Sequence, residues 1–231
     1  VWDRFADRNI EQFTLISAGG GRDAVKIAQF FEGRIADRRL VTNNHAAAAA
    51  GHCTEVITLP EMSGEPHTYN VSTYMSMLVA NSGEDPEAIL GCIGSLEVPP
   101  DIGDYPAYYF LVPPEYEPIA EMFNIKFREI FGSHVYGRAS TEAHANHGLF
   151  VNRSNEELVV GLNVDNSWRG YRRVNLRVPC IGDDTPGALM AAGYYLIGQI
   201  QRRKPPRFRE NLFDYIDTVN RALRWDVKPF S

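Results

Sequence analysis

Three residues in "IAEMFNIKFREIFGSHVYGRASTEAHANHG" (119–148) have side chains and spacings suited to acid–base chemistry: Lys126, Glu129 and His147. On a helix over 119–131 the apolar face is Ile119, Met122, Phe123, Phe127 and Ile130. At about 100° per residue, Lys126 falls in the middle of that face and Glu129 at its edge. Two ionisable groups on the buried side of a helix are costly unless paired or used. They read either as an i, i+3 ion pair with a snorkelling lysine or as a site built on a carboxylate base. His147, beside Gly148, reads either as a helix C-cap or as a general acid or base, since imidazole titrates near neutrality. His144 and Glu142 are close by, but H-E-x-x-H spacing and a nearby thiolate are both missing, so no metal is expected.

A second constellation lies in "FTLISAGGGRDAVKIAQFF" (13–31). An apolar run meets Gly19, Gly20 and Gly21, and Ala24, Ile27, Ala28 and Phe31 then follow at helical spacing. Strand, glycine turn, helix aims backbone N–H groups at an anion. The loop also fits G-x-G-x-x-A, a dinucleotide fingerprint. That fingerprint wants an acid after the next strand to hold the ribose hydroxyls, and "VTNN" offers Asn43 and Asn44 instead. A phosphate monoester is therefore the preferred anion, held by Ser17, the three glycines and Arg22, and no cofactor is expected. The other reading is a plain tight turn. The loop "MSGEPHTYN" (62–70) follows a strand end, where parallel sheets bind ligands; its Thr68, Tyr69 and Asn70 are further ligand candidates.

The elements that must position these groups alternate. Strands are expected at 13–17, 39–42, 55–60, 107–112, 157–164 and 174–179, and helices at 24–31, 44–51, 72–80, 85–96, 119–131, 140–148, 185–200 and 210–223. Asp85 and Pro86 mark one helix start. The class is α/β with mainly parallel sheets. The proline-rich segment 97–106 reads as a linker between a half at 1–98 and a half at 105–231.

The chain has 231 residues and a net charge of −6, which argues against non-specific nucleic-acid binding. The basic run Arg202, Arg203, Lys204, Arg207, Arg209 reads as a solvated surface or as a phosphate or partner contact. Cys53, Cys92 and Cys180 are odd in number and widely spaced, which leads to an expectation of free thiols and a cytoplasmic location. No apolar stretch approaches the roughly 20 residues of a membrane span.

Taken in order, the whole chain resembles the double sugar isomerase (SIS) domain family, as in the isomerase half of glucosamine-6-phosphate synthase and the fructosamine-phosphate deglycases. "TLISAGGGRDAVKIA" sits where the family has a strand and a phosphate loop of S-x-S-G-x-T type. "RLVTNN", "EVITLPEMSGEPHTYNVSTYMSML", "YYFLVPPEYEPIAEMFNIKFREI" and "TEAHANHG" follow as the next strand, the sugar-closing loop, the second-half strand and helix, and the E-x-x-H-G segment. Gly19 replaces the second loop serine, and Arg22 replaces the loop threonine. "ANSGEDPEAI" (80–89) offers a competing phosphate-loop register.

The resemblance implies two three-layer α/β/α halves, the first truncated or divergent at its N-terminus. It implies chemistry on a ketose or fructosamine 6-phosphate, with Glu129 as the proton-shuttling base, His147 as the ring opener and Lys126 beside the site. It also implies a homodimer in which the histidine is often donated by the neighbour. The alternative is a sensor that binds a sugar phosphate without turning it over.

Overall fold

The computed structural model describes residues 10–60, 64–66, 71–178 and 185–230, with the backbone alone at Thr73. These form two compact units, one within residues 1–67 together with 230–231, the other within 68–229. The units part well before the 97–106 segment. The reason is packing: the helices at 72–95 lie on a helix of the second unit.

The first unit is a parallel sheet in the order β1–β2–β3, with β1 (Gln12–Ile16), β2 (Asp37–Thr42) and β3 (Glu55–Thr58). Helix α1 (Arg22–Phe31) makes the β1-to-β2 crossover, as parallel neighbours require. Its Ala24 and Ala28 pack with Leu15, Leu40, Ala47 and Ala49. The alanine run forms a 3₁₀ turn over Ala48–His52 in place of the expected helix at 44–51.

The second unit opens with helices α2 (Ser72–Ser82) and α3 (Pro86–Ser95). Asp85 caps α3 by accepting from the Glu87 N–H at 3.0 Å, as its place before Pro86 suggests. The sheet runs β5–β4–β6–β7, all parallel, from β4 (Ala107–Val112), β5 (Tyr136–Thr141), β6 (Glu157–Leu162) and β7 (Arg172–Leu176). Helix α4 (Glu117–Phe131) joins β4 to β5, α5 (Glu142–Ala145) follows β5, and α6 (Pro186–Arg202) and α7 (Arg207–Leu223) end the unit.

Alternation along β4 decides which face is which. Tyr108, Phe110 and Val112 meet Phe123 and Phe127 of α4 and Leu189, Leu196 and Ile197 of α6 in the main core. Tyr109 and Leu111 face the other way, under Ala145, Phe150 and Val164. Residues 136–141, where the sequence suggests no strand and a helix from 140, are a full strand beside β4.

Cys92 is disulfide-bonded and Cys53 is a free thiol, which corrects the expectation of three free thiols. Spacing in sequence carries no information on the Cα separation that pairing needs. Among the described residues no helix is long and apolar enough to cross a membrane.

Candidate functional site

Helix α4 places the acid–base pair. Pro118 stands in its first turn, and Gly132, at φ 55°, ends it with an N–H bond to the Arg128 carbonyl. Ile119, Ala120, Phe123, Phe127, Ile130 and Phe131 are buried, and Lys126 is buried among them. The Lys126 Nζ donates to Glu129 Oε2 at 2.7 Å; the lysine side chain is 7% exposed and the glutamate 29%. The i, i+3 pair therefore exists, with the lysine dry and the carboxylate reaching the surface.

Tyr194 of α6 completes this corner. Its ring sits edge-on to Phe123, and the Lys126 Nζ lies 5.8 Å from its centroid. Its hydroxyl is buried and has no hydrogen-bond partner among the described residues. Burial first, then the charge of Glu129, push the phenol up to about 12. Sequence reading missed this residue, because one tyrosine in an apolar helix carries no spacing signal.

Glu129 also lines a cleft of about 500 Å³ between the end of α4 and the face of α7. Arg128, His134, Arg207 and Asn211 give it polar groups, and Phe131 and Leu212 an apolar floor.

His147 does not join Glu129 within the chain. Helix α4 runs back along the sheet, so Glu117 in its first turn is near the C-terminal ends of the strands and Glu129 near the other edge. His144 of α5 sits 3.6 Å from Glu117. Glu129 is twelve positions further along the helix, about 18 Å away. His147 follows His144 and is exposed, its N–H donating to the His144 carbonyl.

The segment carrying His147 is anchored from behind. Arg169, 5% exposed, donates from Nε and Nη2 to Asn146 Oδ1 at 3.1 and 2.8 Å and lies 3.7 Å from Glu142. Thr141 caps α5 by accepting the His144 N–H.

The glycine turn is built as the sequence suggests, with its details redistributed. Gly20 has φ 57°, and a Cβ there would stand 2.4 Å from Ala47 Cβ, so only glycine fits. Its N–H donates to Ser17 Oγ at 3.2 Å, which turns the serine inward onto the loop. Thr42 Oγ1 donates to the Ala18 carbonyl and Asn44 Nδ2 to the Gly19 carbonyl, at 2.8 and 3.0 Å. The "TNN" that lacks a ribose-binding acid is thus the clamp that holds the turn.

The N–H groups of Gly19 and Gly21 donate to no acceptor among the described residues. Both glycines face open space. Arg22 is the first residue of α1, and its guanidinium pairs with Asp23 at 3.1 Å. This arrangement can accept an anion through backbone N–H groups at a helix start. Thr68, Tyr69 and Asn70 lie outside the described residues.

No protein-family model matches the sequence, and no curated protein is significantly similar to it. Solved structures share its fold. A protein provisionally named a phosphosugar isomerase, from Silicibacter pomeroyi, superposes with a TM-score of 0.58 at 16% identity over 87% of this chain and 75% of its own. A glucosamine-6-phosphate deaminase from Thermotoga maritima gives 0.58 at 15% identity over 89% and 76%. A provisionally named sugar binding protein from Salmonella typhimurium gives 0.53 at 10% identity over 88% and 76%.

Proposed function

We propose that the chain is a double SIS-domain protein, with halves at 1–98 and 105–231, that moves a proton between C1 and C2 of an open-chain sugar phosphate. The substrate class is a ketose 6-phosphate or fructosamine 6-phosphate, and the reaction an isomerisation, deamination or deglycation. The observation that carries this reading is the dry Lys126 bonded to a partly exposed Glu129 on a cleft wall. A carboxylate fixed by a hydrogen bond from a buried lysine, yet open to a ligand, is placed to act as a general base. Lys126 holds that carboxylate in position. His147 opens the sugar ring. The open N–H groups of the 17–22 turn form a phosphate site of the first unit, with Arg22 released from Asp23 as the cation. The names of the fold neighbours support a sugar phosphate as ligand.

Glu129 lies about 18 Å along α4 from Glu117, the residue that His144 approaches, so one site using both Glu129 and His147 draws them from two copies of the chain, and the protein works as a homodimer. The sensor reading is favoured by one observation: Ser17 and Arg22 both spend their side chains within the loop and its helix.

The test is mixing of Glu129→Gln and His147→Ala chains, which are each expected to lose about 10²–10⁴-fold in turnover of fructose 6-phosphate or glucosamine 6-phosphate. Random two-fold reassembly should restore about a quarter of wild-type activity, because half the dimers are mixed and each has one intact site. A mixture as inactive as its parents rules out the shared site.

A further inference from the structure

The cleft under α7 has a charge that proton transfer at Glu129 does not use. Its walls present Arg128 from the last turn of α4 and Arg207 from the first turn of α7. Both are exposed, and neither guanidinium has an ion pair or side-chain hydrogen bond among the described residues. Glu129, the one acidic residue of the lining, is already neutralised by Lys126. Other members of the basic run are occupied: Lys204 Nζ donates to the Tyr105 carbonyl at 2.9 Å, and Arg203 donates to the Pro100 carbonyl. Two uncompensated guanidiniums in one cleft stand out in a chain of net charge −6. The sequence leaves the run open between a solvated surface and a phosphate contact; Arg207 lines a cleft, whereas Lys204 and Arg203 bond to the chain's own backbone.

We propose that this cleft binds a phosphomonoester, with Arg128 and Arg207 gripping the phosphate. Two guanidinium forks match the several oxygens of a dianionic phosphate better than a single carboxylate would need. The volume of about 500 Å³ suits a hexose-sized body. Asn211 and His134 offer directional groups to its hydroxyls, over Phe131 and Leu212. The proposal stands on the lining and its charge, apart from the glycine turn; because Glu129 lines the same cleft, a ligand held here competes with any substrate of that base. It adds a second phosphate site to each chain.

Calorimetric titration of the full chain with fructose 6-phosphate, and with inorganic phosphate, tests it. Arg128→Gln/Arg207→Gln should weaken one class of sites by about 10-fold or more while leaving the thermal melt unchanged. Arg128→Lys/Arg207→Lys should weaken it less. Arg22→Gln should leave this class untouched. Unphosphorylated fructose should bind far more weakly than its phosphate. The single variants decide the matter if the double variant melts early. Wild-type titration curves for the glutamine variants, or no phosphate binding by the wild type, overturn the proposal. Loss of all phosphate binding in Arg22→Gln alone also overturns it, while leaving the phosphate-loop reading intact.

Discussion

Tyr194 shows how one side chain can register the cost of the site around it. Its hydroxyl is buried without a hydrogen-bond partner among the described residues, and its ring lies 5.8 Å from the Lys126 Nζ. An unsatisfied buried hydroxyl costs on the order of 1–3 kcal/mol. Tyr194→Phe is therefore expected to stabilise the chain at neutral pH by about 1 kcal/mol, read as a rise in the urea midpoint at unchanged slope. The phenol is raised from 10 in the unfolded chain to about 12 in the folded one. The folded state thus holds the proton longer, and its contribution is complete below pH 10 and lost as pH rises toward 12. The variant should flatten that decline. A destabilised Tyr194→Phe would mean that the hydroxyl is satisfied after all. Lys126 and Glu129 were legible from helical phase alone, since the phase put both on the apolar side. Tyr194 and Arg169 were not, because their roles come from neighbours far apart in sequence.

At the scale of elements, Glu84 does what the competing loop register could not reveal. The segment "ANSGEDPEAI" is a helix–turn–helix, and Glu84 in the turn caps another helix altogether. Its Oε2 and Oε1 accept from the Gly187 and Ala188 N–H groups of α6 at 2.7 and 2.9 Å, and Ser82 Oγ donates to it at 2.6 Å. A carboxylate at a helix start satisfies orphan donors and meets the positive end of the dipole. Glu84→Ala should cost about 1–2 kcal/mol, measured by urea unfolding. A change within about 0.5 kcal/mol would mark the cap as incidental.

Legibility of the elements follows the same division. β4 and α4 are evident from their apolar periods, and Asp85–Pro86 from cap chemistry. Strand β5 escapes notice because "YGRAST" looks polar. Arg138 lies 3.9 Å over the Tyr109 ring and pairs twice with Glu157 at 3.0 Å, bridging β5 to β6 across β4. Gly137 leaves room for Phe127, whose ring would meet a Cβ at 2.1 Å. Both features are cross-element and leave no local pattern.

At the scale of the whole molecule, the order of strands and helices carried the fold, and solved structures at 10–16% identity share it. Composition alone marks 97–106 as a linker, whereas the compact units part near residue 67, because α2 and α3 pack on α6. Chemistry is the claim that the fold alone does not carry. Glu129 as general base requires that solvent hydrogen reach C1 or C2 of a bound sugar phosphate. The direct measurement is mass spectrometry of fructose 6-phosphate, glucosamine 6-phosphate and a fructosamine 6-phosphate after incubation with the protein in deuterium oxide. Deuterium should enter C1 or C2 with the wild type and not with Glu129→Gln, which should still bind the sugar. If the wild type leaves all three sugars unlabelled, Glu129 is no base for them and the sensor reading takes the place of the enzyme reading.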